Sequence, residues 1–281
     1  MPAANPFLDT ALARDHLYAT ADRLSARTSA LLGARTTGTP AAEVLINLAR
    51  TVLGAAAGQA RVLDIGCGRG STSLALTTLR PAILVALDAA PAMLTATRQR
   101  LAAAGTRPPA ARVVAGDFHR LPIDDRSIDL AVAAFCLYHS TQPARALAEI
   151  ARCLRPGAAV IIATKSRDSY AELDQLVAAA GLDPLAAERA SLYQTIHSRN
   201  LADLTATAFT VEHIQHDQHQ FRFTDLDHAA AYLATSPKYQ LPPGLAGNQV
   251  ALAAELRRHL ADRLIETSST VSYAIGRRHA P

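Results

Sequence analysis

Residues 62–70 read Val-Leu-Asp-Ile-Gly-Cys-Gly-Arg-Gly, a short apolar run that leads into three glycines at alternate positions. A pattern typical of a helix begins near Ser71. Glycine lets a backbone turn sharply and approach a ligand without an intervening side chain. The G-x-G-x-G spacing also differs from the G-x-G-x-x-G of dinucleotide-binding folds. We therefore expect a buried strand, a tight loop and a helix that together form a candidate nucleotide site.

Short β-rich runs alternate with helical stretches along the chain. The predicted strands are RVLDIG (61–66), ILVALD (83–88), RVVAG (112–116), IDLAVAAF (128–135), AAVIIAT (158–164), FTVEHIQHDQHQFRF (209–223) and STVSYAIGRR (269–278). Such alternation is typical of a parallel sheet with helices on both faces, and the last two strands lack the earlier rhythm. We predict an α/β, Rossmann-like, doubly wound seven-stranded sheet, mostly parallel, with an antiparallel terminal hairpin.

Helical periodicity surrounds this core on both sides. The predicted helices cover 10–33, 41–54, 171–181, 183–208 and 225–265, the last broken by SPKYQLPPG (236–244). Ligands of open α/β sheets lie at the carboxyl ends of the strands, so the flanking segments are candidate lid and substrate walls. We expect one domain over 1–281, with an N-terminal helical cap (1–57), a cofactor-binding core (58–165) and lid insertions at 166–208 and 224–266.

Composition argues against several classes of protein. The net charge is only +4 and the basic residues are scattered, so a nucleic-acid partner is not expected. No apolar run approaches the roughly 20 residues that cross a bilayer, and the first residues lack a basic leader with an apolar block. We expect a cytoplasmic protein without a membrane partner. Cys67, Cys136 and Cys153 form no C-x-x-C pair, which predicts reduced thiols without a disulfide or zinc framework.

Two acidic residues follow predicted strands. Asp88 ends the second strand, where a carboxylate can accept hydrogen bonds from both hydroxyls of a ribose. A role as a cap for the helix near Pro91 is the alternative. Gly116-Asp117-Phe118 closes the third strand, where Asp117 can accept from an adenine amino group while Phe118 packs on the ring.

Five motifs, in this order, resemble those of class I S-adenosylmethionine-dependent methyltransferases that act on small molecules: DIGCGRG (64–70), LDAAPAML (87–94), GDFHRLPIDDRSIDLAV (116–132), FCLYH (135–139) and LRPGA (154–158). The resemblance implies S-adenosyl-L-methionine as cofactor and S-adenosyl-L-homocysteine as product. By the same resemblance, the cofactor contacts are Tyr18, Arg23, Asp64, Gly66, Cys67, Gly68, Gly70, Asp88, Ala89, Met93, Gly116, Asp117, Phe118 and Ala134.

The acceptor side is less readable because a sulfonium methyl is already activated and the protein mainly has to hold a nucleophile in line with it. Tyr138 and His139 follow the fourth strand and are the candidate catalytic residues, with His139 removing a proton or orienting the acceptor. A hydrogen bond of His139 to its own loop is the alternative. The candidate substrate contacts are His139, Lys165, Tyr193, His197 and Tyr239.

These features predict methyl transfer to an O, N or C nucleophile of a small molecule in secondary or cofactor metabolism. The alternatives are an intramolecular displacement or cyclisation on the same fold, a nucleic-acid or protein methyltransferase, and a ligand-sensing protein without turnover. A homodimer through the helical segments is possible. No metal is expected, because His213 and His216 would point to opposite faces of a strand, and His213 and His219 would lie about 20 Å apart.

Overall fold

The computed structural model describes residues 5–9, 12, 17–105 and 111–279. The chain divides into two compact units. The first unit contains Met1–Gly38, Ser166–Gln194 and Asp217–Thr270, and the second contains Thr39–Lys165, Thr195–His216 and Val271–Pro281. The organisation as one functional domain stays a prediction.

In the described part of the chain, eight strands form one mixed sheet. They are β1 (Arg35–Thr37), β2 (Arg61–Ile65), β3 (Ile83–Asp88), β4 (Ala111–Ala115), β5 (Ile128–Ala134), β6 (Leu154–Lys165), β7 (Thr210–Phe223) and β8 (Ile265–Arg277). Their order is β1-β7-β8-β6-β5-β2-β3-β4. Strands β2 to β6 pair in parallel, and β8 runs antiparallel to β6. The predicted α/β, Rossmann-like class is confirmed.

The predicted count of seven strands is wrong because β1 adds an eighth. This three-residue strand pairs antiparallel with β7, with Arg35 opposite Phe221 and Thr37 opposite Gln220. Three residues are too few to show the period of two by which a strand is recognised. The strand therefore exists through its pairing partner, which the local sequence does not reveal.

Strand β2 occupies a central place in the sheet, between β3 and β5. Its residues from Val62 to Ile65 are all buried, as expected for a parallel strand covered on both faces. In the second unit, Val62 belongs to a core cluster with Leu45, Leu130 and Tyr273. This packing fixes the end of β2, and with it the start of the glycine loop.

Nine α-helices lie in the described residues. They are α1 (Ala21–Ala34), α2 (Ala41–Leu53), α3 (Ser71–Thr77), α4 (Pro91–Ala103), α5 (Pro143–Cys153), α6 (Ala171–Ala179), α7 (Leu201–Ala206), α8 (Leu226–Leu233) and α9 (Gln249–His259). The helices predicted over 41–54 and 171–181 are confirmed, as is the break within 225–265. The helix predicted over 10–33 is confirmed from Ala21 onward, and most of its earlier residues lie outside the described part.

The helix predicted over 183–208 is wrong except for Leu201–Ala206. Polar side chains in this segment bond to nearby backbone instead of leaving the backbone to form helical bonds. Ser191 Oγ accepts from the N–H of Tyr193 at 3.1 Å, and Asn200 Oδ1 accepts from the N–H of His197 at 2.8 Å. These local bonds stabilise turns that apolar periodicity does not show.

The continuous helical segment Ala41–Gln59 is long and apolar enough, by length and composition, to cross a membrane. This corrects the expectation that no segment meets that criterion. Val44, Leu45 and Ala49 pack in the core of the second unit, whereas only 28% of the apolar window is buried. The absence of a membrane partner stays a prediction.

Candidate active site

The loop after β2 turns through three glycines in the left-handed region, with φ of 63° at Gly66, 53° at Gly68 and 76° at Gly70. A Cβ at Gly66 would collide with the Cβ of Cys136, and one at Gly70 would lie 2.9 Å from Thr97 Oγ1. A Cβ at Gly68 would meet nothing within 4 Å. Packing therefore requires glycine at two of the positions, whereas Gly68 borders open space that a ligand can enter.

Asp88 ends β3 and holds this loop with its carboxylate. Oδ2 accepts from the N–H of Gly68 at 2.8 Å, and Oδ1 accepts from the N–H of Ala90 at 2.8 Å. The pKa of Asp88 is raised above its usual value, because the effect of burial exceeds the opposing effect of these backbone hydrogen bonds. Because the two carboxylate oxygens together can accept about four hydrogen bonds, capacity for a ligand hydroxyl remains beside the bonds from the backbone N–H groups. Asp88 therefore combines a structural bond at the start of α4 with the position predicted for ribose binding.

Asp64 lies beneath the loop and exposes 1% of its surface. Ser73, in the first turn of α3, donates its hydroxyl to Asp64 Oδ2 at 2.5 Å. The pKa of Asp64 is raised to about 7. Burial is the main cause and the charge of Asp88 adds to it, whereas the Ser73 hydrogen bond acts in the opposite direction. Asp64 therefore supports the loop from below, and its predicted contact with the cofactor stays a prediction.

Two other predicted cofactor contacts also have buried side chains. Cys67 Sγ lies 3.6 Å from Thr97 Oγ1, and Met93 in α4 exposes 1% of its surface. Both side chains pack in the interior, where they contribute to the packing of the loop and of the start of α4. Little of either side chain is exposed to a ligand. Ala89 is exposed beside Asp88, and Ala134 ends β5 with a small exposed fraction.

The loop after β4 contains a chain of side-chain hydrogen bonds. Asp117, whose side chain is 59% exposed, accepts through Oδ1 from the backbone N–H of His119 at 2.8 Å. The same oxygen lies 2.9 Å from His119 Nδ1, and His119 Nε2 lies 2.7 Å from Ser140 Oγ. The ring of Phe118 lies 4.6 Å from that of His119. Sequence reasoning found Asp117 and Phe118 but missed His119 and Ser140.

Gly116 precedes this loop at a position of close packing. A Cβ there would lie 2.8 Å from Leu87 Cδ1 and 2.9 Å from Pro122 Cδ. Its N–H donates to the backbone oxygen of Asp88 at 3.1 Å. The predicted cofactor contact at Gly116 stays a prediction, and the structure shows a packing reason for glycine.

The loop after β5 presents the predicted acceptor residues. Phe135 has a φ of 57°, and a short helical turn, Leu137–His139, follows it. Tyr138 is buried and its ring lies 4.7 Å from the ring of the partly exposed His139. At the end of β6, Lys165 Nζ lies 5.8 Å from the Phe135 ring centroid. Since β5 and β6 are parallel to β3, all these residues lie at the ligand-binding edge.

His197 also belongs to the second unit and is tied into its own loop. Its Nδ1 accepts from the N–H of Arg199 at 3.2 Å, and the side chain is largely buried. Thr164 in β6 donates its hydroxyl to the backbone oxygen of the preceding residue, Ile196, at 3.0 Å. His197 therefore has a structural role in this loop, and substrate contact stays a prediction.

The other four predicted residues lie in the first unit, described by itself. Tyr239 is buried, and its hydroxyl donates to Asp174 Oδ1 at 3.0 Å. Tyr193 is buried with its ring 6.2 Å from that of Phe7. Tyr18 is partly exposed and Arg23 lies exposed on α1. Their cofactor or substrate contacts stay predictions.

The histidines of β7 have partners of their own. His216 Nδ1 lies 2.7 Å from Ser272 Oγ, and His219 Nε2 lies 3.2 Å from Asp217 Oδ2. Among the residues that the structure describes, no group of three His, Cys, Asp or Glu side chains could hold a metal ion. The three cysteines are free and buried.

Residues 63–162, which include the glycine loop, Asp88 and the turn after β5, match the family model of a methyltransferase domain. This central segment of the chain is similar to a methyltransferase domain. An uncharacterized methyltransferase of Mycobacterium bovis is 36% identical over 108 residues, which cover 38% of this chain and 41% of that protein. A malonyl acyl-carrier-protein O-methyltransferase of Serratia marcescens is 33% identical over 113 residues, covering 40% of this chain and 41% of that protein.

The crystal structure of the YcgJ protein from Bacillus subtilis has a similar fold to this chain, with a TM-score of 0.57 at 18% identity. That likeness covers 85% of this chain and 98% of the other. The sequence likeness is narrower, since the chain spans less than half the length of the curated relatives it matches. Sequence similarity therefore concentrates in the part that contains the glycine loop, and the flanking segments share only the fold.

Proposed function

We propose that the chain transfers the methyl group of S-adenosylmethionine to an O, N or C nucleophile of a small-molecule acceptor and releases S-adenosylhomocysteine. One observation carries the proposal. The Asp88 carboxylate binds the amide of Gly68 in the glycine loop and retains acceptor capacity for a ligand hydroxyl. A ribose diol placed there would lie against the open position beside Gly68.

The neighbouring loop supplies support for the base of the cofactor. Both hydrogen bonds of Asp117 to His119 use Oδ1, and Oδ2 takes part in no hydrogen bond within the described residues. An exposed carboxylate oxygen can accept from the amino group of an adenine. Phe118 stands beside it with a partly exposed ring that can pack on the base. Asp88 and Asp117 thus offer acceptors for two different ends of an adenosine.

S-adenosylmethionine supplies an activated methyl group on a positively charged sulfur, so the protein contributes binding and orientation. His139 is partly exposed at the edge where β5 ends, and its ring packs against Tyr138. A neutral imidazole there can accept a proton from an acceptor hydroxyl or amine, or hold the acceptor by a hydrogen bond. Tyr138 is buried and supports the His139 ring.

Two features support a small acceptor. The net charge of +4 comes from scattered basic residues, which gives little attraction for a nucleic acid. One relative is named as a malonyl acyl-carrier-protein O-methyltransferase. We extend the proposal to secondary or cofactor metabolism and, because the thiols are free and buried, to a reducing compartment such as the cytoplasm.

Calorimetry with S-adenosylhomocysteine tests the cofactor site. Asp88→Ala should weaken binding about 10- to 100-fold, since a hydrogen bond to a charged group contributes about 1.5 to 3 kcal/mol. Thr97→Val is the matched control, because Thr97 Oγ1 donates to the backbone oxygen of Gly68 at 2.8 Å and holds the same loop from another side. Its loss should be smaller, about 5-fold.

Equal losses in the two variants would mean that Asp88 acts only by holding the loop, and no binding by the unaltered protein would refute the proposal. Turnover needs a second experiment, in which the protein and S-adenosylmethionine are incubated with metabolite extracts. Methyl transfer requires a methylated product in step with S-adenosylhomocysteine. A product of changed connectivity, formed without loss of the methyl group, would favour the alternative of an intramolecular displacement or cyclisation.

A further inference from the structure

We propose that His119 is a positioning residue that connects the adenine end of the cofactor site to the turn carrying Tyr138 and His139. The proposal rests on the proposed function, because it assigns the Asp117 end of the connection to a bound adenosine. It adds two residues, His119 and Ser140, that neither the sequence motifs nor the comparisons assign.

The connection is a continuous chain of three side chains. Asp117 Oδ1 lies 2.9 Å from His119 Nδ1, and His119 Nε2 lies 2.7 Å from Ser140 Oγ. Asp117 is mostly exposed, whereas Ser140 is completely buried. The chain therefore leads from a surface that a ligand can reach into the interior of the second unit.

When the His119 ring is neutral, the hydrogen atoms fit this chain in one direction. The Asp117 carboxylate can only accept, so His119 donates through Nδ1, and the neutral ring then has its lone pair on Nε2. Ser140 donates its hydroxyl to that lone pair, and its oxygen accepts from the N–H of Gln142 at 2.9 Å. The bonds to His119 and Gln142 thus use the one hydrogen of the Ser140 hydroxyl and one of its lone pairs. A buried hydroxyl that lost His119 would have to find another acceptor in a closed site.

Ser140 directly follows the turn Leu137–His139 and closes it. Its N–H donates to the backbone oxygen of Leu137 at 3.0 Å, and the N–H of His139 donates to that of Cys136 at 3.0 Å. The side-chain bond to Gln142 then leads into α5, which begins at Pro143. The orientation of Ser140 consequently fixes the direction of the turn, and with it the side chains of Tyr138 and His139.

The far side of the loop is fixed independently, so that His119 has a rigid base. Leu121 donates its N–H to Glu149 Oε1 at 2.7 Å, and its backbone oxygen accepts from Arg152 at 3.1 Å. Both partners lie on α5. A ligand that bonds to Asp117 therefore acts on a short segment between two fixed points. It should stabilise the His119–Ser140 bond and the turn that depends on it.

Two substitutions of His119 separate its two bonds. In His119→Asn the shorter amide can replace Nδ1 and keep the bond to Asp117, whereas in His119→Gln the longer amide can replace Nε2 and keep the bond to Ser140. Ser140→Ala removes the interior end. Ser127→Ala is the matched control, because Ser127 Oγ donates to the backbone oxygen of Asp124 at 2.7 Å, in the segment before β5.

The measurements are calorimetry with S-adenosylhomocysteine and hydrogen exchange of the backbone amides of 137–142, with and without that ligand. In the unaltered protein, ligand should slow exchange in this segment about 10-fold or more. His119→Asn and Ser140→Ala should bind the ligand within about 3-fold of the unaltered protein but lose most of this slowing. His119→Gln, which breaks the connection at Asp117, should also lose most of it, whereas Ser127→Ala should retain it.

Denaturant midpoints identify any variant that merely folds poorly, and NMR of labelled imidazole nitrogens in the unaltered protein supplies a readout without substitution. The proposal expects a protonated Nδ1 and an unprotonated Nε2 in His119. Retained slowing in Ser140→Ala, no slowing in the unaltered protein with ligand bound, or the opposite tautomer would each overturn it. Absence of any ligand binding by the unaltered protein would instead refute the proposed function on which it depends.

Discussion

Alanine at Gly66 and at Gly68 should have different effects, although both glycines have left-handed φ. An L-residue in that region costs roughly 1–2 kcal/mol, and both variants share this cost. At Gly66 the new methyl group also collides with the Cβ of Cys136 and lies 3.0 Å from its Sγ. Because that Cβ is attached directly to the backbone, no rotamer change can move it away.

Overpacking of this kind costs about 1–3 kcal/mol in a well-packed interior. The free energy of unfolding should therefore fall by about 2–5 kcal/mol in Gly66→Ala and by about 1–2 kcal/mol in Gly68→Ala. The difference isolates the collision, because the backbone cost cancels. Urea unfolding, followed by a fluorescence-independent signal such as far-UV circular dichroism, gives both values for a chain without tryptophan.

A third variant tests the cause. Cys136→Gly removes the Cβ that the new methyl group meets, so the double variant Gly66→Ala/Cys136→Gly should lose less stability than the two single losses added together. Ligand binding should show the opposite order, since the methyl group at Gly68 enters the open space and should weaken S-adenosylhomocysteine binding about 10-fold or more. Equal destabilisation at the two glycines, or additive losses in the double variant, would refute the packing argument.

Three more predictions concern Asp64, Tyr239 and His139. Because the folded-state pKa of Asp64 is raised from 3.8 to about 7, the folded state retains a proton that the unfolded chain loses, so stability should fall as pH rises from about 4 to 7, by about 4 kcal/mol at most. Urea titrations should show that Asp64→Asn lacks this fall in stability. A pH profile of the variant that equals that of the unaltered protein would contradict the prediction. Tyr239→Phe should lower the unfolding midpoint, through the lost bond to Asp174, without changing ligand affinity. His139→Ala should bind S-adenosylhomocysteine normally while methyl transfer falls about 100-fold, and full activity would limit it to loop structure.

The central strands and the glycine loop were predictable because their signals are local. A parallel strand buried on both faces is a continuous apolar run, which β3 and β5 each contain and which β2 shows apart from Asp64. Left-handed φ strongly favours glycine, so three glycines at alternate positions indicate the conformation of the loop. Asp88 was placed correctly because its position depends only on where β3 ends.

Burial of individual side chains was less predictable. The motifs at 64–70 and 87–94 contain Asp64 and Met93, respectively, among residues expected near a ligand. The burial of both side chains depends on how α3 and α4 pack over them. Ser73, which binds Asp64, is nine residues further along the chain and has no spacing signature. Similarly, the turns over 183–200 depend on which polar side chains find backbone partners, as at Ser191 and Asn200.

Contacts between the ends of neighbouring strands were predictable only in part. In the register of β2 with β5, Ile65 lies opposite Ala133, so the residues that follow both strands meet at the same edge. Gly66 and Cys136 are such residues, and a correct strand order would have predicted their approach. The order itself depends on the whole sheet, which explains why the motif alone did not reveal the partner of Gly66.

The contact between His119 and Ser140 could not be predicted even from the correct strand order. Strands β4 and β5 are separated in the sheet by β3 and β2, so their ends are three strand spacings apart, or about 14 Å. The 2.7 Å bond between the side chains exists because the loop after β4 returns along α5, where Glu149 and Arg152 hold Leu121. A bond that bridges two intervening strands spans the edge at which the proposed cofactor lies. This placement, which no local pattern encodes, allows one histidine to connect the two ends of the site.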